Sequence, residues 1–230
     1  MILSHRHRFI FIKTSKTAGT SVEIALSRVC GPEDIITPIS PADEPLRQEL
    51  GGKGPQHHLL PEEEYRLKDR IQRFRRGRPR QKFYNHMSAE EIRQCIPEAV
   101  WNSYYRFCFE RNPWDRAISY YFWKYPNEPR PTISEFVQSE RLLKLKKRGR
   151  ELYTLHGEVA VDRVCRFENL DDELEAVRKK LGIAEKLELP RAKGGFRKDR
   201  RSYRELLGAA DRQRIAEVFH DEIAFMGYQF

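Results

Sequence analysis

The sequence predicts an α/β fold of three layers, with a mostly parallel central sheet flanked by helices. Three observations predict it. Short apolar or aromatic runs that read as strands recur at residues 9–12, 105–110 and 161–167. Each is followed by a segment of helical spacing, at 22–26, 113–122 and 170–181. Strands alternating with helices build a parallel sheet covered by those helices. No internal repeat is evident, and 230 residues suffice for one large domain with a sizeable core. The chain therefore reads as a single domain over residues 1–230, with a basic insertion around 61–82.

The elements follow in order. Phe9-Ile10-Phe11-Ile12 reads as a short buried strand, and Val22 to Leu26 as a helix. Between them lies Lys13-Thr14-Ser15-Lys16-Thr17-Ala18-Gly19-Thr20-Ser21. A strand, a tight loop with a glycine and hydroxyls, then a helix presents backbone N–H groups to an anion, and the helix dipole adds to the attraction. A Walker A loop places its lysine after the last glycine. Here Lys16 precedes Gly19 and the first Walker glycine is absent, which disfavours an ordinary ATPase or GTPase.

Residues 31–60 hold many Pro and Gly and read as irregular connection. Glu62 to about Phe74 reads as a helix, and Lys82-Phe83-Tyr84 as a short strand. Ser88-Ala89-Glu90-Glu91 and Thr132-Ile133-Ser134-Glu135 are capping boxes, each starting a helix. Tyr105 to Glu110 alternates aromatic and polar residues like a strand. Asn112 then caps, and Pro113 opens, a helix along which Ala117, Ile118, Tyr121 and Phe122 recur. Arg111 at the strand end and Ser119 two turns into the helix can reach one anion at the C-terminal edge of the sheet. Residues 141–150 read as surface helix or loop, and 161–167 as a strand. Leu170 to Leu181 reads as a helix ended by Gly182. Residues 190–201 form a basic glycine-containing loop, and a last amphipathic helix runs from Asp211 to just before Gly227.

Lys16-Thr17-Ala18-Gly19-Thr20-Ser21 resembles the 5′-phosphosulfate loop of the sulfotransferases, which transfer a sulfuryl group from 3′-phosphoadenosine 5′-phosphosulfate (PAPS). Arg111-Asn112-Pro113-Trp114-Asp115-Arg116-Ala117-Ile118-Ser119-Tyr120-Tyr121 is similar to their 3′-phosphate motif. Arg166-Phe167-Glu168-Asn169-Leu170, and Asp221 with Gly227-Tyr228, also resemble family elements; Glu168 is expected to pair with a neighbouring arginine and Tyr228 to pack. The resemblance is strongest at residues 9–26 and 105–123 and weakest at 31–80 and 124–158, and it is closest to the carbohydrate or bacterial, "sulfotransferase family 2"-like branch. It implies a P-loop-like fold with PAPS as co-substrate and no metal. By the same match Lys16 is the cation facing the departing phosphate oxygen. Thr17, Ala18, Gly19, Thr20 and Ser21 hold the 5′-phosphate, and Arg111 and Ser119 the 3′-phosphate. Lys193, within Arg191-Ala192-Lys193-Gly194-Gly195, is a further nucleotide-binding candidate, one inserted alanine away from the family's Arg-Lys-Gly.

Sulfuryl transfer also needs a base for the acceptor hydroxyl, and histidine titrates near neutrality. Of seven histidines, His86 lies between the two motifs and just before a capped helix, where the family's catalytic histidine falls; His58 is the runner-up. Lys13 is the alternative cation to Lys16.

Hydrophobic content of 39% and charged content of 33% describe a polar-surfaced protein. No apolar run approaches the ~20 residues that span a bilayer. The first eight residues lack a signal peptide's apolar core, from which a cytoplasmic location is expected. Cys30, Cys95, Cys108 and Cys165 show neither Cys-x-x-Cys nor metal-ligand spacing, so they are expected reduced and structural. The net charge of +9 is concentrated between Arg66 and Lys82, with nine basic residues against Asp69. That stretch reads as a solvated insertion, as a patch for an acidic acceptor such as an anionic glycan, or, least favoured, as a nucleic-acid contact. The acceptor hydroxyl is expected on a carbohydrate or lipid-linked glycan. Two other classes stand beside this reading, a P-loop-type small-molecule kinase and a noncatalytic basic polyanion-binding protein.

Overall fold

The computed structural model describes residues 1–190, 199 and 201–230, with Gln72 and Arg76 by backbone alone. The strands are β1 (Ile2–Ser4), β2 (Phe9–Phe11), β3 (Ile35–Ile36), β4 (Tyr105–Glu110), β5 (Thr154–Leu155), β6 (Glu158–Val159) and β7 (Arg163–Arg166). The helices are α1 (Gly19–Val29), α2 (Glu44–Glu49), α3 (Leu67–Arg76), α4 (Ala89–Cys95), α5 (Glu98–Ser103) and α6 (Pro113–Lys124). They continue with α7 (Ile133–Gln138), α8 (Glu140–Lys146), α9 (Leu170–Lys180), α10 (Tyr203–Leu206), α11 (Ala209–Val218) and α12 (His220–Met226).

Five strands form the main sheet in the order β3-β1-β2-β4-β7. β2, β4 and β7 are parallel neighbours, pairing Phe9 with Tyr105 and Cys108 with Val164. β1 lies antiparallel to both β2 and β3, which extends the sheet beyond the strands foreseen from the sequence. β5 and β6 form a separate hairpin.

Side chains alternate across a strand, and both faces of this sheet are covered. Phe9, Phe11, Phe107 and Phe109 face one side and pack with Val22 and Leu26 of α1 and Leu174 and Val177 of α9. Ile10, Ile12 and Cys108 face the other and pack with Ile92 of α4, Trp101 of α5 and Tyr153. This two-sided burial explains why β2 is apolar without alternation. Each such large side chain contributes about 1.5–3 kcal/mol on leaving water. A third cluster joins α6, α7, α8, α11 and α12 through Ile118, Phe136, Leu145, Ile215 and Met226.

The helix starts follow the sequence closely. Ser88 and Thr132 accept hydrogen bonds from the Glu91 and Glu135 N–H groups in reciprocal capping boxes. The Asn112 side chain accepts from Trp114 N–H at the start of α6. Gly182 takes φ 64°, the left-handed turn expected after α9.

Four expectations are corrected. Residues 82–84 form no strand: the N–H groups of Lys82 and Phe83 converge on one carbonyl, that of His58, so no ladder continues past the Leu59–Gln81 bridge. Residues 31–60 contain β3 and α2. The helix expected from Glu62 is a 3-10 turn at Glu62–Glu64 followed by α3. The last helix divides in two at Phe219, whose ring is fully buried and whose backbone leaves helical values. The arginine partner expected for Glu168 is not found among the described residues. Glu168 accepts from Asn112 N–H at 2.6 Å and from the Tyr228 hydroxyl at 3.2 Å, tying the last residues to the start of α6.

Candidate active site

The junctions β2–α1 and β4–α6 are adjacent because β2 and β4 are adjacent parallel strands. Both open into one cleft of about 630 Å³. Its walls include Lys16, Ala18, Gly19, Thr20, Ser21, His86, Arg111 and Ser119. The sequence reading thus placed eight residues in a single cavity. Thr17 differs: its side chain is buried and its hydroxyl lies 2.9 Å from that of Thr14, inside the loop. Lys193 lies outside the described residues.

The loop before α1 is built to leave donors uncovered. Lys16 and Ala18 both take left-handed backbone, with φ 67° and 56°. Residues held this way cluster at sites that bind or react. The first bond into the helix runs from Val22 N–H to the Ala18 carbonyl, and no side chain caps α1. The N–H groups of Gly19, Thr20 and Ser21 lie ahead of that bond, at the positive end of the helix dipole and on the cleft wall. Gly19 has no room for a side chain, since a Cβ there would meet Lys13 Cγ at 2.6 Å.

The two lysines of the loop differ in environment. Lys13 is buried and its Nζ lies 2.5 Å from Glu23 Oε2. Burial pushes the Glu23 carboxyl up, but the Lys13 charge overrides it and helps hold it down to about 2. Lys13 is thus neutralised within the fold. The Lys16 ammonium lies 5.2 Å from the centre of the Trp123 ring, one helical turn beyond Ser119.

Arg111 joins the two junctions directly. Its Nη1 donates to the Lys16 carbonyl at 3.1 Å, and its Nε and Nη2 donate to Asp115 at 2.9 and 2.7 Å. The guanidinium lies 4.0 Å above the Phe167 ring. Acid, ring and carbonyl fix a cation at the rim of the anion loop.

Below the loop is a fully buried arginine that the sequence reading did not single out. Arg116 donates to the Ser15 carbonyl, the Glu110 carboxylate and the Leu145 carbonyl, each at 3.0 Å. Tyr153 donates to the same carboxylate at 3.1 Å. Ser15 N–H in turn bonds the Arg148 carbonyl at 2.8 Å. Gly149 lets the chain pass over this cation, as a Cβ would come within 2.2 Å of Arg116 Nη1. A buried charge with three partners holds a loop in one geometry.

His86 enters the cleft from a turn with φ 59°. Its Nδ1 donates to the Lys13 carbonyl at 2.9 Å, which fixes the tautomer and leaves Nε2 as the acceptor. Burial first, and then the Lys13 charge, push its pKa down to about 4. The imidazole is neutral at physiological pH and can accept a proton. His58, the alternative base, is absent from the residues that line this cleft.

The Sulfotransferase family model matches residues 1–229. The chain belongs to the sulfotransferase family. It is a PAPS-dependent transferase of sulfuryl groups, as the two anion-loop motifs implied. An uncharacterized protein of Archaeoglobus fulgidus is 30% identical over 106 residues, which cover 45% of this chain and 88% of that one. Among solved structures, mouse sulfotransferase SULT7A1 complexed with PAP superposes with a TM-score of 0.47 at 16% identity, covering 96% of this chain and 86% of that chain. Among the described residues no group of three or more His, Cys, Asp or Glu could hold a metal ion. None of their helices is long and apolar enough to cross a membrane.

Arg148, Trp123, Asn85 and Phe167 also line the sulfotransferase cleft, though the sequence reading gave them no role. Trp123 had a usable signal, its spacing of four from Ser119 on one helix face. Arg148 had none, because it sits among other basic residues in the least recognisable part of the chain.

Proposed function

We propose that this sulfotransferase moves a sulfuryl group from PAPS to a hydroxyl of a carbohydrate or lipid-linked glycan. The single observation that carries the donor half is the shared cleft, in which the helix-start donors and Lys16 lie beside Arg111 and Ser119. Two separated anion sites fit one nucleotide with phosphates at both its 5′ and 3′ ends. In this reading Gly19, Thr20 and Ser21 hold the 5′-phosphate with backbone N–H groups. Thr17 contributes its backbone, its hydroxyl being engaged by Thr14. Arg111 and Ser119 take the 3′-phosphate, and Lys193 adds a further cation to the nucleotide.

The donor supplies an activated sulfuryl group whose leaving oxygen gains negative charge during transfer. Lys16 neutralises that charge, the form of stabilisation most enzymes rely on. His86 Nε2 accepts the acceptor hydroxyl's proton, with Nδ1–H fixed on the Lys13 carbonyl. No residue in this scheme needs a metal. The four cysteines are free thiols, which suits the reducing compartment of a cytoplasmic enzyme.

Radiolabelled sulfate transfer from PAPS onto a panel of neutral and anionic glycans tests the reading. Label is expected on glycan hydroxyls, and EDTA is expected to leave the rate unchanged. Transfer confined to small phenols or steroids would reject the carbohydrate acceptor. Phosphate transfer from ATP that EDTA abolishes would reject the donor.

A further inference from the structure

Helix α3 is amphipathic in the wrong sense for a protein surface. Leu67, Ile71 and Phe74 lie within roughly 60° of arc at 100° per residue, a single stripe. That stripe faces solvent: Leu67 is 75% exposed, Ile71 51% and Phe74 93%. The polar side faces inward instead. Asp69 is buried, accepts from Arg66 N–H at 3.0 Å and pairs with Arg80. Tyr65 is buried beside it and its hydroxyl accepts from Arg80 N–H at 2.9 Å. Arg73 is spent on Glu62. The fold thus anchors the helix by its polar groups and offers its apolar stripe outward.

Basic side chains border the stripe on both sides. On the same wheel, Lys68 and Arg75 fall at one edge and Arg70 at the other, and all three are exposed. Arg66 and Arg78, at the two ends, are exposed as well. A solvated insertion explains the charges but not three large apolar side chains held in water. A polyanion such as a glycan or nucleic acid explains the charges and leaves an aliphatic stripe uncovered. A surface that is apolar along its centre and anionic around it answers both features.

We propose that α3 is an interfacial helix that docks this protein on an anionic lipid bilayer. The stripe enters the boundary between headgroups and acyl chains, and Arg66, Lys68, Arg70, Arg75 and Arg78 meet the lipid phosphates. The neighbouring chain links this surface to the cleft: Arg80 and Lys82 bond back to residues 58–60, and His86 follows four residues after Lys82.

Co-sedimentation of the full chain with vesicles tests the proposal. Vesicles of phosphatidylcholine with added phosphatidylglycerol are expected to bind it about tenfold or more tightly than phosphatidylcholine alone. The combined variant Leu67→Ser, Ile71→Ser, Phe74→Ser is expected to lose about tenfold or more of that binding. Its stripe residues are exposed, so an unchanged thermal shift with adenosine 3′,5′-bisphosphate certifies its fold and its nucleotide site. The readout is independent of sulfate transfer. Three results overturn the proposal. One is a wild type that stays off anionic vesicles. Another is a stripe variant that binds them as well as wild type, which makes the patch a surface for any polyanion. The third is a wild type that self-associates through the stripe in sedimentation velocity, which makes a second copy its cover.

Discussion

His86→Asn is expected to lower turnover by about 10²–10⁴, the range a positioned general base supplies. Asparagine keeps a donor where His86 Nδ1 bonds the Lys13 carbonyl, so the turn is expected to survive. Affinity for adenosine 3′,5′-bisphosphate should stay the same, because the proposed mechanism sets His86 against the acceptor and not the nucleotide. Rapid-quench and calorimetric measurements separate the two. The wild-type pH profile should carry the same signature. His86 must be neutral to act, and burial with the Lys13 charge sets its pKa at about 4. The limb of kcat/KM belonging to this base should be flat through neutrality and fall only as pH drops toward 4. Stability follows with a matching sign. Folded His86 titrates near 4 against its usual 6.5, so between those values the unfolded chain binds the extra proton. The stabilisation is complete above pH 6.5 and is lost as pH falls through that window, in total about 3 kcal/mol. Denaturant titrations of His86→Asn should lack that loss. A variant with full turnover removes His86 from the chemistry.

Lys16→Ala is expected to cost about 10²–10³ in kcat with the fold intact. Alanine already occupies a left-handed position two residues on, at Ala18, so the backbone at 16 has a precedent in the same loop. The contrast is Lys13. Its Nζ is committed to the buried Glu23 carboxylate. Lys13→Ala should therefore lower stability, by about 2 kcal/mol or more. Thermal denaturation beside single-turnover rates distinguishes the two lysines. Normal turnover in Lys16→Ala would return the role to Lys13.

The parallel part of the fold was legible because its signals are local. Phe9 to Ile12 is apolar without alternation since both faces of β2 are covered, and Asn112-Pro113 announces a helix through a cap that the structure makes. Two motifs on neighbouring parallel strands then had to meet, and Arg111 bonding the Lys16 carbonyl is that meeting. What escaped depends on distant partners. β1 and β3 are two or three residues long and exist only by pairing across the sheet edge. Phe219 divides the last helix because the core claims its ring. Arg116 stands in the quoted motif, but nothing local shows that it is buried, since its three partners come from the anion loop, β4 and α8. Residues 82–84 have strand composition, but the His58 carbonyl takes two N–H groups and ends the pairing.

The proposed function requires that one nucleotide be gripped at both ends. Calorimetric titration of adenosine 3′,5′-bisphosphate and of adenosine 5′-monophosphate, each into wild type and Arg111→Ala, measures this most directly. The predicted result is a loss of about thirtyfold or more for the bisphosphate and almost none for the monophosphate, since only the former carries the 3′-phosphate that the proposed function assigns to Arg111. Equal losses for both ligands, or no loss for either, would contradict it.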